Sequence, residues 1–379
     1  MKLFRIDQMA LVGCMVVVMA PACPAQQWTV LTEPHAPRDT APASGPISLA
    51  PSPDGSLYVG YGALYRRSEN ETSAQIRLRS PQGVWSVVSV AGRALGAVTR
   101  PAGLAVDAQG VLLVSDEGNW RVATRAPDAG WTVLAPQGHG AQEVLGPTAI
   151  RFDSQGGLWV ADYGRLHHRT PQGDWSVEGR LASLGGFGQG DAWQLPGGMA
   201  PLPDGGLLLC EVESVDANGI NGLHYRNPLG QWALLDRETE ATGIVADSAG
   251  NVFTAEPRRN RVRKRDLLGN WTVVAGQGEL PGQVLEPQDV ALDGQGRLLI
   301  ADGGNARVQR YDPLAPQTPI PGDVDGDGAV TLFDVQTLLR LTAAITEPGP
   351  ETLIVGDMNH DGKLNIQDAV LLLRRVAGL

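Results

Sequence analysis

A turn glycine recurs along the chain at Gly55, Gly110, Gly156, Gly205, Gly250 and Gly296, spaced by 55, 46, 49, 45 and 46 residues. Six copies of a unit with a period near 46 restrict the fold to an array of one supersecondary motif, a propeller or a solenoid. Nine residues before each glycine stands Pro46, Pro101, Pro147, Pro196, Ala241 or Pro287, opening a short apolar stretch. After each glycine come three adjacent columns: Leu57, Leu112, Leu158, Leu207, Val252, Leu298; then Tyr58, Leu113, Trp159, Leu208, Phe253, Leu299; then Val59, Val114, Val160, Leu209, Thr254, Ile300. Three apolar residues in succession describe a strand buried on both faces. The next column is small and contains Cys210, which reads as a packed core residue and not as a nucleophile.

An acidic column closes this strand at Asp116, Asp162, Glu211, Glu256 and Asp302, with Tyr61 the exception. It reads as turn chemistry, carboxylates capping backbone N–H groups, rather than as an ion-binding ring. A third strand follows, and a fourth opens at Trp85, Trp131, Trp175, Trp232 and Trp271. Four strands make one propeller blade. The sixth unit lacks its tryptophan, and Trp28, with no blade before it, repeats the missing pattern. An N-terminal strand that completes the last blade closes the ring and leaves no free sheet edge. Composition agrees, because 48 glycines in 379 residues with only 19% charged residues suit many short strands joined by tight turns. The expected fold is an all-β six-bladed β-propeller over 26–312, followed by a small α-helical calcium-loop domain.

The repeat resembles the NHL-repeat family of six-bladed propellers. The likeness is clearest from Ala275 to Val308, in the lead-in Ala275 to Gly278, the inner strand Pro287 to Asp293 and the turn Asp302-Gly303-Gly304-Asn305-Ala306-Arg307. Blades 1, 3 and 4 depart from that turn, and blade 1 carries an insertion from Leu64 to Ser80.

Residues 1–25 read as a secretory signal peptide. Lys2 and Arg5 precede a 12-residue apolar run from Met9 to Ala20, followed by small residues. That run is shorter than the roughly 20 residues a transmembrane helix needs. Secretion or surface display by bacterial-type export follows, with lipoprotein anchoring at Cys23 as the disfavoured alternative. The net charge of -11 argues against a nucleic-acid partner.

The C-terminal region, 322–379, follows a proline-rich linker at 313–321 and carries two calcium-loop patterns. The first places Asp323, Asp325, Asp327, Thr331 and Asp334 at loop positions 1, 3, 5, 9 and 12, with the carbonyl of Ala329 at position 7. The second repeats it with Asp357, Asn359, Asp361, Asn365 and Asp368 and the carbonyl of Lys363. Alternate oxygen ligands in a tight loop deliver the six to eight oxygens Ca²⁺ requires, so two ions are expected. Asp at position 12, and no helix before the first loop, depart from an EF-hand and resemble the duplicated type I dockerin module. That resemblance implies one helix after each loop, here Val335 to Ile345 and Ala369 to Ala377. It also implies a cohesin-type partner recognised through Leu332, Phe333 and Arg340 in the first repeat and Ile366, Gln367 and Arg374 in the second.

Catalysis in a propeller needs ligands or acid–base groups converging on the channel mouth. The residues expected there are Gly45, Arg100, Gly146, Leu195, Glu240 and Glu286, and the six histidines are read as sharing no column. Arg258, Arg259, Arg261, Arg263, Lys264 and Arg265 form one basic cluster, a solvated edge or an anion patch. Trp120 and Trp193 stand off the repeat template as candidate ligand contacts. The resulting expectation is a secreted, non-catalytic propeller that binds an unidentified protein or glycan and is attached by its calcium module to a cohesin-type partner. The competing readings are a secreted lyase or hydrolase carried by the same module, and a structural protein whose calcium module only rigidifies its end.

Overall fold

This computed structural model describes residues 27–31, 44–64, 73–180, 195–213, 222–312, 321–322, 324, 330, 332–343, 356–359, 361 and 363–377. Trp28–Asp312 forms one compact unit and Pro313–Leu379 falls in a second. The signal-peptide segment, Trp193, the proline-rich linker and most of the first calcium loop lie outside the described residues.

The first unit contains strand β1 (Gln27–Val30) and six sheets in chain order. Blade 1 is β2 (Ser44–Pro51), β3 (Leu57–Ala63), β4 (Gln75–Arg79) and β5 (Trp85–Ser89). Blade 2 is β6 (Pro101–Val106), β7 (Leu112–Asp116), β8 (Arg121–Arg125) and β9 (Trp131–Ala135). Blade 3 is β10 (Ala149–Phe152), β11 (Leu158–Asp162), β12 (Arg165–Arg169) and β13 (Trp175–Arg180). Blade 4 is β14 (Leu195–Pro201), β15 (Leu207–Glu213), β16 (Gly222–Arg226) and β17 (Trp232–Asp236). Blade 5 is β18 (Gly243–Ala246), β19 (Val252–Glu256), β20 (Arg261–Arg265) and β21 (Trp271–Gln277), with β22 (Gln283–Val284) added parallel to β21. Blade 6 is β23 (Pro287–Leu292), β24 (Leu298–Asp302) and β25 (Arg307–Asp312), with β1 as its outer strand. Leu31 N donates to Val308 O at 2.8 Å, so the N-terminal strand closes the ring, as the Trp28 column predicts.

The inner strands β2, β6, β10, β14, β18 and β23 touch in that order, and β23 returns to β2. They approach so closely that a Cβ on Gly243 would lie 2.5 Å from Asp289 Cα, and one on Gly103 would lie 3.1 Å from Ile150 N. Only glycine fits at 243, and at 103 a larger residue would have to push the neighbouring strand aside. The second strands β7, β11, β19 and β24 are buried along their whole length. Their side chains join neighbouring blades; Ala105, Leu113 and Val122 pack with Ile150, Leu158 and Val160. Each fully buried Leu or Val contributes about 1.5–3 kcal/mol relative to exposure. The Trp that opens each fourth strand lies at these seams, Trp131 and Trp175 among them. In blades 1 to 5 the fourth strand bulges against the third, leaving Val88, Leu134, Glu178, Leu235 and Val274 as the extra residues.

In the second unit, α1 (Leu332–Ala343) and α2 (Ile366–Val376) pack around Val335, Leu338, Ala369 and Leu372. Both helices begin three residues before the expected Val335 and Ala369, because the last residues of each calcium loop already form the first helical turn. At α2, Asn365 Oδ1 accepts from Gln367 N at 2.8 Å while Asp368 Oδ2 accepts from Asn365 N at 2.9 Å. That reciprocal capping box fixes the helix start.

Candidate functional site

The described members of the acidic column are buried and engaged. Asp116, Asp162, Glu256 and Asp302 have no exposed surface, while the side chain of Glu211 lies outside the described residues. Asp302 accepts from Leu285 N at 2.8 Å, Asn305 Nδ2 at 2.8 Å, Arg307 Nε at 2.7 Å and Gln309 Nε2 at 3.0 Å. Arg307 then spans to the carbonyls of Glu279, Leu280 and Gln283 in the loop entering the blade. Asp116 and Asp162 repeat the plan, taking Thr99 N and Leu145 N and pairing with Arg121 and Arg165. In blade 5, Glu256 receives Arg261 Nε at 2.7 Å and Arg263 Nε at 2.6 Å. Burial raises the pKa of Asp116 and Asp302 even against these donors. Turn chemistry therefore explains the column.

One expectation needs correction here. His167 and His224 share one column, the third residue of the third strand, with Arg77, Ala123, Arg263 and Gln309. The alignment escapes the sequence because the connection between the second and third strands varies in length. His167 and His168 do point to opposite faces: His167 lies 3.1 Å from Asp162 Oδ2, and His168 lies 3.2 Å from Asp153 Oδ2. Of the basic cluster, Arg258 and Arg259 are exposed, as a solvated edge would be. Arg261 and Arg263 turn inward to Glu256, Arg263 lies 4.1 Å over the Trp271 ring, and Arg258 and Arg259 face Glu240 and Glu238.

The residues expected at the channel mouth pair with neighbours instead of converging. Arg100 Nε donates to Glu117 Oε2 at 2.8 Å and its NH1 to Ala63 O, while the Tyr163 hydroxyl donates to Glu117 Oε1 at 2.6 Å. Glu240 faces Arg258 at 3.6 Å, and Glu286 N donates to Asn260 Oδ1. Gly45 abuts Gly303, and Gly146 lies against the Tyr163 ring. The side chain of Leu195 is outside the described residues. Trp120 is half-buried, with its ring 6.1 Å from and edge-on to Tyr163.

Deeper in the ring, Arg151 of blade 3 reaches Asp289 of blade 6, with NH2 and Oδ1 2.9 Å apart. Blades 3 and 6 are opposite in a six-membered ring, so this pair crosses the central channel. Asp289 Oδ2 also accepts from Leu49 N at 2.9 Å, and Arg151 NH1 donates to Ile150 O. Inner-strand edges thus find partners without solvent. Complete burial raises the Asp289 pKa, with Arg151 and two backbone N–H groups opposing. Among the described residues, no three His, Cys, Asp or Glu side chains gather as a metal site.

The second calcium loop is described except at His360 and Gly362. Asp361 N donates to Asp357 Oδ1 at 3.1 Å and to Asn359 Oδ1 at 2.9 Å, and Lys363 N donates to Asp361 Oδ1 at 2.9 Å. The backbone is wound around the side chains at positions 1, 3 and 5, which brings oxygen donors to one short loop. Asp368 Oδ1 receives Met358 N and Asn359 N, pinning position 12 to the loop start. In the first loop, Asp334 likewise receives Val324 N at 2.7 Å, while Asp323, Asp325, Asp327, Ala329 and Thr331 are outside the described residues. The all-oxygen donor set suits Ca²⁺, with Asn359, Asn365 and the Lys363 carbonyl supplementing three carboxylates. Of the expected partner residues, Leu332, Ile366, Gln367 and Arg374 are exposed, and the side chains of Phe333 and Arg340 are not described. Val370 and Leu373 are exposed as well and follow Ile366 at helical spacing. That i, i+4, i+7 pattern was readable from sequence.

Residues 285–311 match the NHL repeat, and residues 321–377 match the Dockerin type I domain. No curated protein matches the chain. Among solved structures, a gluconolactonase from Xanthomonas campestris is 15% identical over 75% of this chain and 88% of its own, with TM-score 0.55. An auxiliary nutrient binding protein from Bacteroides thetaiotaomicron is 11% identical over 71% of this chain and 69% of its own, with TM-score 0.50. A streptogramin B lyase is 14% identical over 76% and 97%, with TM-score 0.47. At such identities the likeness establishes the fold alone. Type I dockerin domains bind calcium and occur on secreted and cell-surface proteins, and no described helix is long and apolar enough to cross a membrane. The chain is a six-bladed β-propeller of NHL-repeat type that carries a C-terminal type I dockerin module.

Proposed function

We propose that this is a secreted, non-catalytic binding propeller, attached through its dockerin module to a cohesin-type scaffold or surface partner in a calcium-dependent way. The observation that carries the docking half is the second loop, which presents exposed Ile366, Gln367 and Arg374 on a helix capped by Asp368. One Ca²⁺ per loop would neutralise the clustered carboxylates; the ligands are Asp323, Asp325, Asp327, Ala329, Thr331 and Asp334 in one loop and Asp357, Asn359, Asp361, Lys363, Asn365 and Asp368 in the other. The chain's own part is to pin position 12 against the loop entry, so that loop closure and helix orientation are one event.

The Arg151–Asp289 pair supports a non-catalytic propeller, since it commits to each other the two opposite charges that meet across the channel. The lyase or hydrolase alternative needs acid–base groups gathered at the mouth, where Arg100, Glu117 and Glu240 are instead committed to structural pairs. Likeness of fold does not choose between them. The test is capture of a cohesin-bearing protein by the full chain in calcium and in EDTA. Capture is expected in calcium and lost in EDTA, and Ile366→Ser should weaken it at least tenfold. Equal capture in both conditions sinks the docking claim.

A further inference from the structure

Blade 3 breaks the repeat at one seam. The bulge residue of the fourth strand is Val88, Leu134, Leu235 or Val274 in blades 1, 2, 4 and 5, and Val88, Leu134 and Val274 pack against the apolar seams. In blade 3 it is Glu178, which accepts from Ser176 Oγ at 2.7 Å and from Arg226 NH2 of blade 4 at 2.9 Å. On the same seam, Asp153 Oδ2 accepts from Trp159 Nε1 and faces His168 Nε2, both at 3.2 Å. The Trp159 and His168 rings lie 4.3 Å apart, and Arg226 sits 5.5 Å over the indole. These five side chains, with Gly206, line a cavity of about 280 Å³. Glycine at position 206 keeps the wall thin, since a Cβ there would lie 2.6 Å from the Tyr225 ring. Arg226 Nε is buried and has no hydrogen-bond partner among the described residues. A buried donor in that state favours a ligand that can accept from it.

We infer that this cavity between blades 3 and 4 binds one ring of a neutral sugar. This rests on the reading of the propeller as a binding element. The cavity holds a cation beside two carboxylates, so a charged ligand of either sign meets a like charge. A hydroxyl group does not, because it accepts from Arg226 and donates to Glu178 at once. Adjacent hydroxyls on a pyranose repeat that pattern, and the volume suits a single ring.

The full chain in calcium is titrated by saturation-transfer NMR with free neutral hexoses, a hexuronic acid and short neutral oligosaccharides. The expected result is saturable binding of a neutral hexose, free or as a terminal residue of an oligosaccharide. Binding should weaken at least tenfold in Glu178→Leu, which restores the residue type of the other blades, and in Arg226→Lys, which keeps the charge and removes Nε. Both variants are checked for an unchanged thermal transition, and the lysine variant decides if the leucine variant fails to fold. No saturable neutral sugar, tighter binding of the uronic acid, or full binding in a folded variant overturns the site. Conversion of the sugar to a new species would instead overturn the non-catalytic reading and leave the site standing.

Discussion

The propeller and the dockerin module both bury carboxylates, and they neutralise them differently. Asp116, Asp162, Glu256 and Asp302 each have an arginine from the next strand, Arg121, Arg165, Arg261 or Arg307. Asp334 and Asp368 in the module are equally buried, but the described donors to them are backbone N–H groups. Residues 322–379 hold nine Asp or Glu against four Lys or Arg. The propeller therefore carries its counter-charge in its own chain, repeated blade by blade, whereas in the proposed function the module takes it from calcium. Core size points the same way, with seams between neighbouring blades on one side and, among the described residues, a cluster of four buried apolar side chains on the other.

The largest effect expected from this contrast is on chelation. An ion present at a hundred times its Kd stabilises the form that binds it by about 2.7 kcal/mol, a large share of what so small a core supplies. Hydrogen exchange on the full chain should show α1 and α2 losing protection in EDTA by at least a hundredfold, with β7, β11, β19 and β24 unchanged. Retained protection in the helices, or loss of it in the blades, breaks the comparison.

Removing a carboxylate should have opposite outcomes in the two regions. Asp302→Ala leaves Arg307 without its buried partner, and breaking such a pair costs about 3–5 kcal/mol. The propeller's denaturant midpoint should fall accordingly, in calcium and in EDTA alike. Asp361→Ala removes an exposed loop carboxylate and should weaken calcium binding at least tenfold while leaving stability in EDTA unchanged. Chemical denaturation and calcium titration of the two variants separate these cases. A calcium-dependent loss in the first variant would show that the regions are not independent in this respect.

The blades were legible because burial repeats. A column that is apolar in six copies reports a buried strand more securely than any single segment does, and the Trp28 orphan located the closure. The channel pair was legible in principle by the same method. The second residue after each inner-strand proline position is Ser48, Gly103, Ala149, Gly198, Gly243 and then Asp289; the fourth is Ala50, Ala105, Arg151, Ala200, Val245 and Ala291. One charge of each sign interrupts two columns of otherwise small or apolar residues. A ring places blades 3 and 6 opposite, but only coordinates show that the two side chains meet. The blade 3 cavity was hidden because its members come from the second, third and fourth strands and from the next blade. Glu178 also sits on a bulge, where a period of two fails. The basic run Arg258 to Arg265 was legible only as two alternatives, a solvated edge or an anion patch. Alternation places Arg261 and Arg263 on one face, but only coordinates show that this face turns to Glu256.

The smallest effect tests whether the built-in counter-charge is complete. Burial raises the pKa of Asp289 above the ordinary aspartate value of about 3.9, although Arg151 stands 2.9 Å away. The folded chain then holds a proton at pH values where the unfolded chain has already released it. Stability from this group is therefore fully present below the unfolded pKa and declines as pH rises through the folded one. Asp289→Asn removes the titration while keeping an oxygen for Leu49 N. The stability of the natural chain minus that of the variant should grow as pH is lowered from neutrality toward about 4, and level off below about 3.9. Urea unfolding across that window measures the difference. A gap that shrinks toward acid would mean that Arg151 outweighs burial and holds the carboxylate ionised in the folded chain. The propeller's internal neutralisation would then be complete even at its most enclosed site, and the contrast with the calcium module would be sharper than the burial of Asp289 implies.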